Sequence, residues 1–383
     1  MASSGGSLKY RRVVAKVGTN LLTGGSDKLD ASFMSGLVAQ IAGLRKQGVE
    51  LLLVTSGAIA AGQEALALPK GRREVALKQM MAAVGQGRLM HRYQELFDKH
   101  KVVVAQALVT KGDLDNRESY LNVRNTFEGL VSLGVVPIIN ENDVVDVREI
   151  REDVFGDNDN LSAVVATVVH ADLLMILTDI DGLYTADPRK DAAAKLIPRV
   201  ERIDAAIESL AGGTGSVRGR GGMMTKIQAA KVATAAGVPV VIANGHEKDV
   251  LTRLVRGEAA GTFFEAAAST ADSRQRWMLT GIGAKGAIVV DDGAAKALAQ
   301  EHRSLLPAGV RAIEGQFARG DLIDIRDSRG GRIARGVTNY GSAELEKIKG
   351  VRSADIQKLL GYSFGDEVVH RNDLATFEGI KAG

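Results

Sequence analysis

Two lysines and two acidic clusters carry the chemistry of this sequence. In GSVRGRGGMMTKIQAAKVATAAG (215–237), Gly219, Gly221 and Gly222 stand shortly before Lys226, and an alanine-rich helix is expected from that point. Glycines let backbone N–H groups come close to a ligand, and a helix N-terminus carries partial positive charge, so together they suit an anion. A plain flexible turn has the same composition, and the neighbours must decide. Lys16 interrupts the apolar run VVAKV (13–17) just before Gly18. Burial without a charge partner would be expensive there, so this lysine either emerges into water or meets an anion at the strand end. Two acidic clusters flank the same region, Asn140-Glu141-Asn142-Asp143 and Phe155-Gly156-Asp157-Asn158-Asp159-Asn160. Such clusters are commonly turns or helix caps. The second holds more Asp and Asn than a cap requires, which leaves three uses open: binding Mg²⁺ through waters, holding a substrate ammonium, or orienting the lysines.

Lysines and carboxylates around an anion-binding loop suggest phosphoryl transfer. The chain has no GxxxxGK[ST] loop, and its one GxGxxG, Gly281 to Gly286, precedes the strand-like AIVV where a dinucleotide fingerprint needs a helix. Ser56 sits in VTSG with no nucleophile elbow around it, which argues against a serine hydrolase. A carboxylate acceptor would already be ionised at neutral pH, because a free side-chain carboxyl titrates near ~4. Such an acceptor needs no general base. Its obstacle is repulsion by the phosphates, on the order of 4 kcal/mol for two unit charges ~4 Å apart at an effective dielectric of ~20. Cations are then the main requirement, and only His246 stands among the expected strand ends.

The elements that must position these residues read as α/β. Strands are expected at 13–17, 49–55, 102–109, 135–139, 172–178 and 238–243, with helices over 74–100, 117–132, 158–170 and 226–236. Several strands are apolar on both faces, as in a parallel sheet covered by helices. Ligands bind beyond the carboxyl ends of such strands. The ends here are Gly18-Thr19-Asn20, Thr55-Ser56-Gly57, Asn140 to Asp143, Thr178 to Gly182 and Asn244 to Glu247, nearly all small or polar. After Phe264 the texture changes: 265–274 reads as a linker, and short strands at 286–290, 321–327 and 332–339 form a small, mostly β second domain.

The 383 residues allow two or three domains. Zero cysteines exclude disulfides, thiolate zinc sites and a cysteine nucleophile, and agree with a cytoplasmic location. The six histidines form no HExxH cluster. No span suits a membrane, since the run 161–178 is broken by Ser162, His170 and Asp172. The net charge of +3 lies entirely from Arg274 onward, with 17 basic against 14 acidic residues. That excess is small and aromatics are few, so RNA binding by this tail is not expected.

Seven ordered segments, VVAKVGTNLLT, LLLVTSGAIAAG, AAVGQGRLM, VVPIINENDVV, FGDNDNLSAVVA, LLMILTDIDGLYTADPR and GRGGMMTKIQAAKVA, resemble the amino acid kinase family, specifically its members that phosphorylate free L-glutamate. KGAIVVDDGAAKAL, FARGDLIDI and RGVTNYGSAELEKIKG look like the PUA domain that many bacterial members carry. The resemblance implies the amino acid kinase fold, a mainly parallel sheet sandwiched by helices, over 11–264. A linker at 265–274, a PUA domain over 275–365 and tails at 1–10 and 366–383 complete the expected organisation.

The resemblance also implies ATP and L-glutamate as substrates, γ-glutamyl phosphate as product, the first step of proline synthesis, and Mg²⁺ accompanying ATP without a protein metal site. By position, Lys16 and Lys226 would bind phosphates and stabilise the transferring group, with Asp159 orienting them. Ser56, Asp143 and Asn158 would hold glutamate. Thr178, Asp179 and the run Arg220, Gly221, Gly222, Met223, Met224, Thr225 and Lys226 would contact the nucleotide. Arg220 stands where threonine is usual, Thr19 where serine is frequent, and 147–154 looks slightly longer than in some members, as a flap or a solvated loop. Proline as feedback inhibitor, a homodimer or homotetramer, and a glutamyl phosphate reductase partner are further expectations of the family. Members acting on N-acetylglutamate, aspartate or carbamate are the rivals, and a free α-ammonium is what a carboxylate such as Asp143 would select.

Overall fold

The computed structural model describes residues 7–26, 28–68, 74–145, 157–212, 222–267 and 283–377. They fall into two compact units. The first is Met1–Leu114 with Thr126–Ala268, and the second is Asp115–Asn125 with Ser269–Gly383.

The first unit is built on β1 (Arg12–Val17), β2 (Glu50–Thr55), β3 (Val104–Val109), β4 (Val136–Glu141), β5 (Leu173–Thr178), β6 (Arg199–Val200), β7 (Val240–Asn244) and β8 (Thr262–Phe264). They form one sheet in the order β3-β4-β2-β1-β5-β7-β8-β6. Every pairing is parallel except β7 with β8. The central strands are almost wholly buried, which is why they read as unbroken apolar runs.

The helices up to Val255 are α1 (Thr19–Thr23), α2 (Ala31–Lys46), α3 (Ala58–Leu66), α4 (Val75–Asp98), α5 (Lys111–Asp115), α6 (Arg117–Ser132), α7 (Asp157–Val168), α8 (Ala205–Gly212), α9 (Gly222–Ala235) and α10 (Val250–Val255). All belong to this unit except the end of α5 and the first half of α6, through Asn125, which belong to the second. Because side chains alternate along a strand, Val13, Ala15 and Val17 of β1 join Met34, Ile41, Tyr93 and Leu251 in one core under α2, α4 and α10. Lys16 therefore projects from the other face, where α7 packs on β1. Ile227, Ala230 and Ala233 of α9 fall at i+3 spacing and are fully buried, which gives the helix one small-residue face for packing. That helix begins at Gly222, four residues before the expected start, and draws Gly222 to Thr225 out of the anticipated loop into its first turn.

Two glycines allow α3 and α4 to touch backbone to backbone. A Cβ on Gly85 would lie 1.9 Å from the Ala58 carbonyl oxygen, and one on Gly62 would lie 1.8 Å from that of Met81. No side chain fits in either place.

The second unit has a five-stranded sheet in the order β10-β9-β11-β12-β13. Its strands are β9 (Ala287–Val290), β10 (Val310–Glu314), β11 (Leu322–Arg326), β12 (Arg332–Val337) and β13 (Leu374–Thr376), with α11 (Asp292–Gln300), α12 (Ser342–Ile348) and α13 (Ile356–Leu360). Gly286 leads into strand β9 rather than a helix, which disposes of the GxGxxG pattern. The stretch 366–377, expected as a tail, is folded. β13 pairs with β12, and Val368 and Val369 are buried in the core of this unit. Three residues are too few for a strand period to show in sequence. Within the same unit Arg124 forms a fully buried ion pair with Asp373.

Candidate active site

The sheet's carboxyl edge gathers most of the expected site residues. Lys16, one residue before the end of β1, is 4% exposed, and its Nζ lies 2.5 Å from Asp159 Oδ1. Asp159 belongs to the first turn of α7 and is fully buried. Its other oxygen, Oδ2, accepts from Lys226 Nζ at 3.2 Å and from Thr225 Oγ1 at 2.9 Å. Lys226 Nζ also donates to the Gly222 carbonyl at 3.0 Å across one turn of α9. One carboxylate thus holds two ammonium groups from a strand and a helix far apart in sequence.

The charges are tuned by this arrangement. Burial pushes the Asp159 carboxyl up, but the Lys16 and Lys226 ammonium groups and the bonds from Lys16 and Thr225 outweigh it, holding the group below the ordinary carboxylate value. Burial and the neighbouring positive charge of Lys16 pull Lys226 below the ordinary lysine value, against the attraction of Asp159. Two ammonium groups thus converge on one carboxylate, an arrangement that suits an incoming polyanion.

Beside the lysines stands a polar cluster. Asn158, the residue before Asp159, donates from Nδ2 to Ser56 Oγ and to Asn140 Oδ1, both at 3.2 Å. Successive helical residues point about 100° apart, so adjacent positions on α7 face the polar cluster and the two lysines respectively. The Asn158 Oδ1 is buried and has no partner among the described residues. Asp143 is 8% exposed just beyond β4. Ser56 follows β2, where Thr55 Oγ1 meets Tyr93 OH at 2.8 Å. Burial raises the Tyr93 phenol well above its ordinary value, so it stays neutral.

On the far side, Thr178 ends β5. Its hydroxyl donates to Asp179 Oδ1 at 3.1 Å, while Asn20 Nδ2 donates to Asp179 Oδ2 at 3.2 Å. Burial raises the Asp179 carboxyl, and the Asn20 and Thr178 bonds with the Lys226 charge more than reverse this. Met223 and Met224 are half-buried in the first turn of α9. Gly219, Arg220, Gly221, the stretch 147–154 and most of the expected linker lie outside the described residues.

Several participants carry no obvious signal in the sequence. Asn140 and Asn20 are visible as strand-end polar residues without a role. Gln86 Oε1 accepts from Asn140 Nδ2 at 2.9 Å, and Gln79 Nε2 donates to the carbonyls of Asp143 at 3.3 Å and Val144 at 3.0 Å. Both glutamines lie on α4. Thr225, already expected on the nucleotide side, is 2% exposed and gives its hydroxyl to Asp159, a contact the sequence does not show.

A parallel sheet with a two-lysine, one-carboxylate centre at its carboxyl edge is the setting of a phosphoryl-transfer enzyme, and residues 11–244 match the amino acid kinase family. The chain belongs to that family. Residues 286–360 match the PUA domain. Among its relatives, the glutamate 5-kinase of Dehalococcoides mccartyi (strain CBDB1) is 50% identical over 365 residues, covering 95% of this chain and 98% of that protein. The glutamate 5-kinase of Herpetosiphon aurantiacus is 50% identical over 368 residues, 96% of this chain and 99% of the other. That of Shewanella amazonensis is 50% identical over 371 residues, 97% of each.

Proposed function

We propose that this enzyme transfers the γ-phosphoryl group of ATP to the side-chain carboxylate of L-glutamate, giving L-glutamyl 5-phosphate and ADP, the first step of proline synthesis. The observation that carries this reading is the pair Lys16 and Lys226 on the two oxygens of Asp159, next to the Ser56, Asn140 and Asn158 cluster. The near full-length relatives named glutamate 5-kinase support it.

In the reaction a glutamate carboxylate oxygen forms a bond to Pγ while the bond from Pγ to the β–γ bridging oxygen breaks, and the electron pair leaves with ADP. No proton moves from the acceptor, so no base is required. The lysines offset the repulsion between carboxylate and phosphates, which is the largest electrostatic obstacle to the approach. Asp159 holds them in place. Asn158 Oδ1 and Asp143 take the α-ammonium, a role that an N-acylated substrate would leave unfilled. Thr178, Asp179 and the start of α9 line the nucleotide side.

A divalent ion, Mg²⁺ by its preference for phosphate and water oxygens, accompanies ATP. Both oxygens of Asp159 are engaged by lysines, so that carboxylate orients cations rather than holding the ion. A cytoplasmic location, a homodimer or homotetramer, inhibition by proline competing for the ammonium-binding cluster, and consumption of the labile acyl phosphate by a reductase complete the proposal. Among the described residues no helix is long and apolar enough to cross a membrane.

The test is hydroxylamine trapping of the acyl phosphate with ATP and Mg²⁺. Hydroxamate should form with L-glutamate and stay at background with N-acetylglutamate and aspartate. Product with N-acetylglutamate instead would overturn the substrate assignment.

A further inference from the structure

We propose that Gln86 is a positioning residue that sets which end of the Asn158 amide faces the substrate, through a relay running Gln86, Asn140, Asn158. The inference rests on the glutamate reading above. The three side chains form a one-directional chain. Asn140 donates to Gln86 Oε1 at 2.9 Å and so keeps its own oxygen for Asn158 Nδ2 at 3.2 Å. Asn158 spends its second N–H on Ser56 Oγ at 3.2 Å. Its Oδ1 is therefore the end left over, buried and without a partner among the described residues. A bare acceptor suits an ammonium.

An amide can be turned round, so the same chain has a second polarity. If Gln86 donated instead of accepting, Asn140 would turn its N–H₂ toward Asn158, and Asn158 would face the site with N–H groups. That state repels an ammonium and suits an acceptor such as an acyl carbonyl. The far end of the relay thus tunes selectivity without touching the substrate. Gln86 Nε2 is itself buried without a partner among the described residues, so the position tolerates a group that only accepts.

Helix α4 is built to hold this end of the relay still. Gln79 and Gln86 are seven residues apart, two turns of helix, so they share a face and stand about 10 Å apart along the axis. Three residues of extended chain span about the same length. Gln79 accordingly grips the backbone at Asp143 and Val144 while Gln86 grips Asn140. Gly85, the neighbour of Gln86, lies against the Ala58 carbonyl at the start of α3, the helix that follows Ser56. The two sides of the cluster are therefore fixed to one helix pair.

The experiment compares Gln86→Glu, which only accepts, Gln86→Met, which does neither, and Gln86→Lys, which only donates. KM for L-glutamate, KM for ATP and kcat are measured for each, with melting temperatures to check folding. Glu should keep KM for glutamate near wild type, Met should raise it roughly 5- to 30-fold, and Lys should raise it further, with KM for ATP little changed. A packing role would change the order, with Met mildest and the two charged variants, Glu included, worst. To separate the relay from simple charge, the series is repeated on Asn140→Ala, where the differences among the Gln86 variants should vanish. If they persist, or if Met leaves KM for glutamate unchanged in a folded enzyme, the inference is wrong. Wild-type protein that makes no hydroxamate from glutamate would instead overturn the substrate reading itself.

Discussion

Lys16 Nζ lies 2.5 Å from Asp159 Oδ1, an ion pair shut away from water between the central strand of the sheet and the first turn of α7. A buried pair of this kind is weak evidence for stability, because desolvation can consume the Coulombic gain. What the pair does is fix the Lys16 ammonium in place, as the proposed role toward phosphate requires. Lys226 completes the arrangement on the second oxygen.

Thr225 supports that geometry from beneath, donating to Asp159 Oδ2 at 2.9 Å. Thr225→Val keeps the shape and removes the hydroxyl. The variant should lose about 1.5–3 kcal/mol of stability, the range for a hydrogen bond to a charged group, and lower kcat more than it raises KM for ATP. Denaturant melts and steady-state kinetics check both parts.

The Lys226 cation is lost as pH rises through a pKa held below the ordinary lysine value by burial and by Lys16. The alkaline limb of kcat/KM for ATP should therefore fall below the range of a free lysine. In the kcat profile the limb should move upward, because bound phosphates favour the cation. Lys226→Arg should abolish the limb, since a guanidinium does not titrate there. A limb unchanged in the arginine variant would assign it to another group.

Gly85→Ala would ordinarily favour a helix by about 1 kcal/mol. Here the added methyl meets the Ala58 carbonyl at 1.9 Å, a backbone atom that cannot swing aside. The variant should be destabilised by about 1–3 kcal/mol, the usual cost of overpacking, and should bind glutamate more weakly than ATP. Thermal melting beside the two KM values gives the answer.

The sequence shows Lys16 plainly because a lysine inside an apolar strand demands a partner, and it shows the Asp157 to Asn160 cluster because the cluster exceeds a cap. It does not show that Asn158 and Asp159 divide between the polar cluster and the lysines; that depends on the helical turn between adjacent residues. Lys226 is legible too, but the start of its helix is not, since Gly222 reads as loop while the packing of its helix on α7 overrides propensity. Gln79 and Gln86 escape notice for a different reason. Polar residues on a long helix look solvated until the partner strand end is known, and that pairing is non-local. The fold class follows from strand patterning, whereas β6, β8 and β13 are too short to show any period.

In the second unit, Asp373→Asn would leave the guanidinium of Arg124 buried beside a neutral amide. Removing one partner of a buried pair costs about 3–5 kcal/mol. Urea unfolding should show that loss, with KM for glutamate and ATP near wild type at low temperature. A variant as stable as wild type would contradict the buried pairing.

Asp159→Asn tests the central claim most directly, read by rapid-quench single turnover at saturating ATP and L-glutamate. With the lysines no longer held by a carboxylate, the rate of phosphoryl transfer should fall by roughly 10²-fold or more, the scale of losing one electrostatic element of an active site, while ATP still binds. A variant that transfers the phosphoryl group at close to the wild-type rate would show that Asp159 does not organise the two lysines for the reaction.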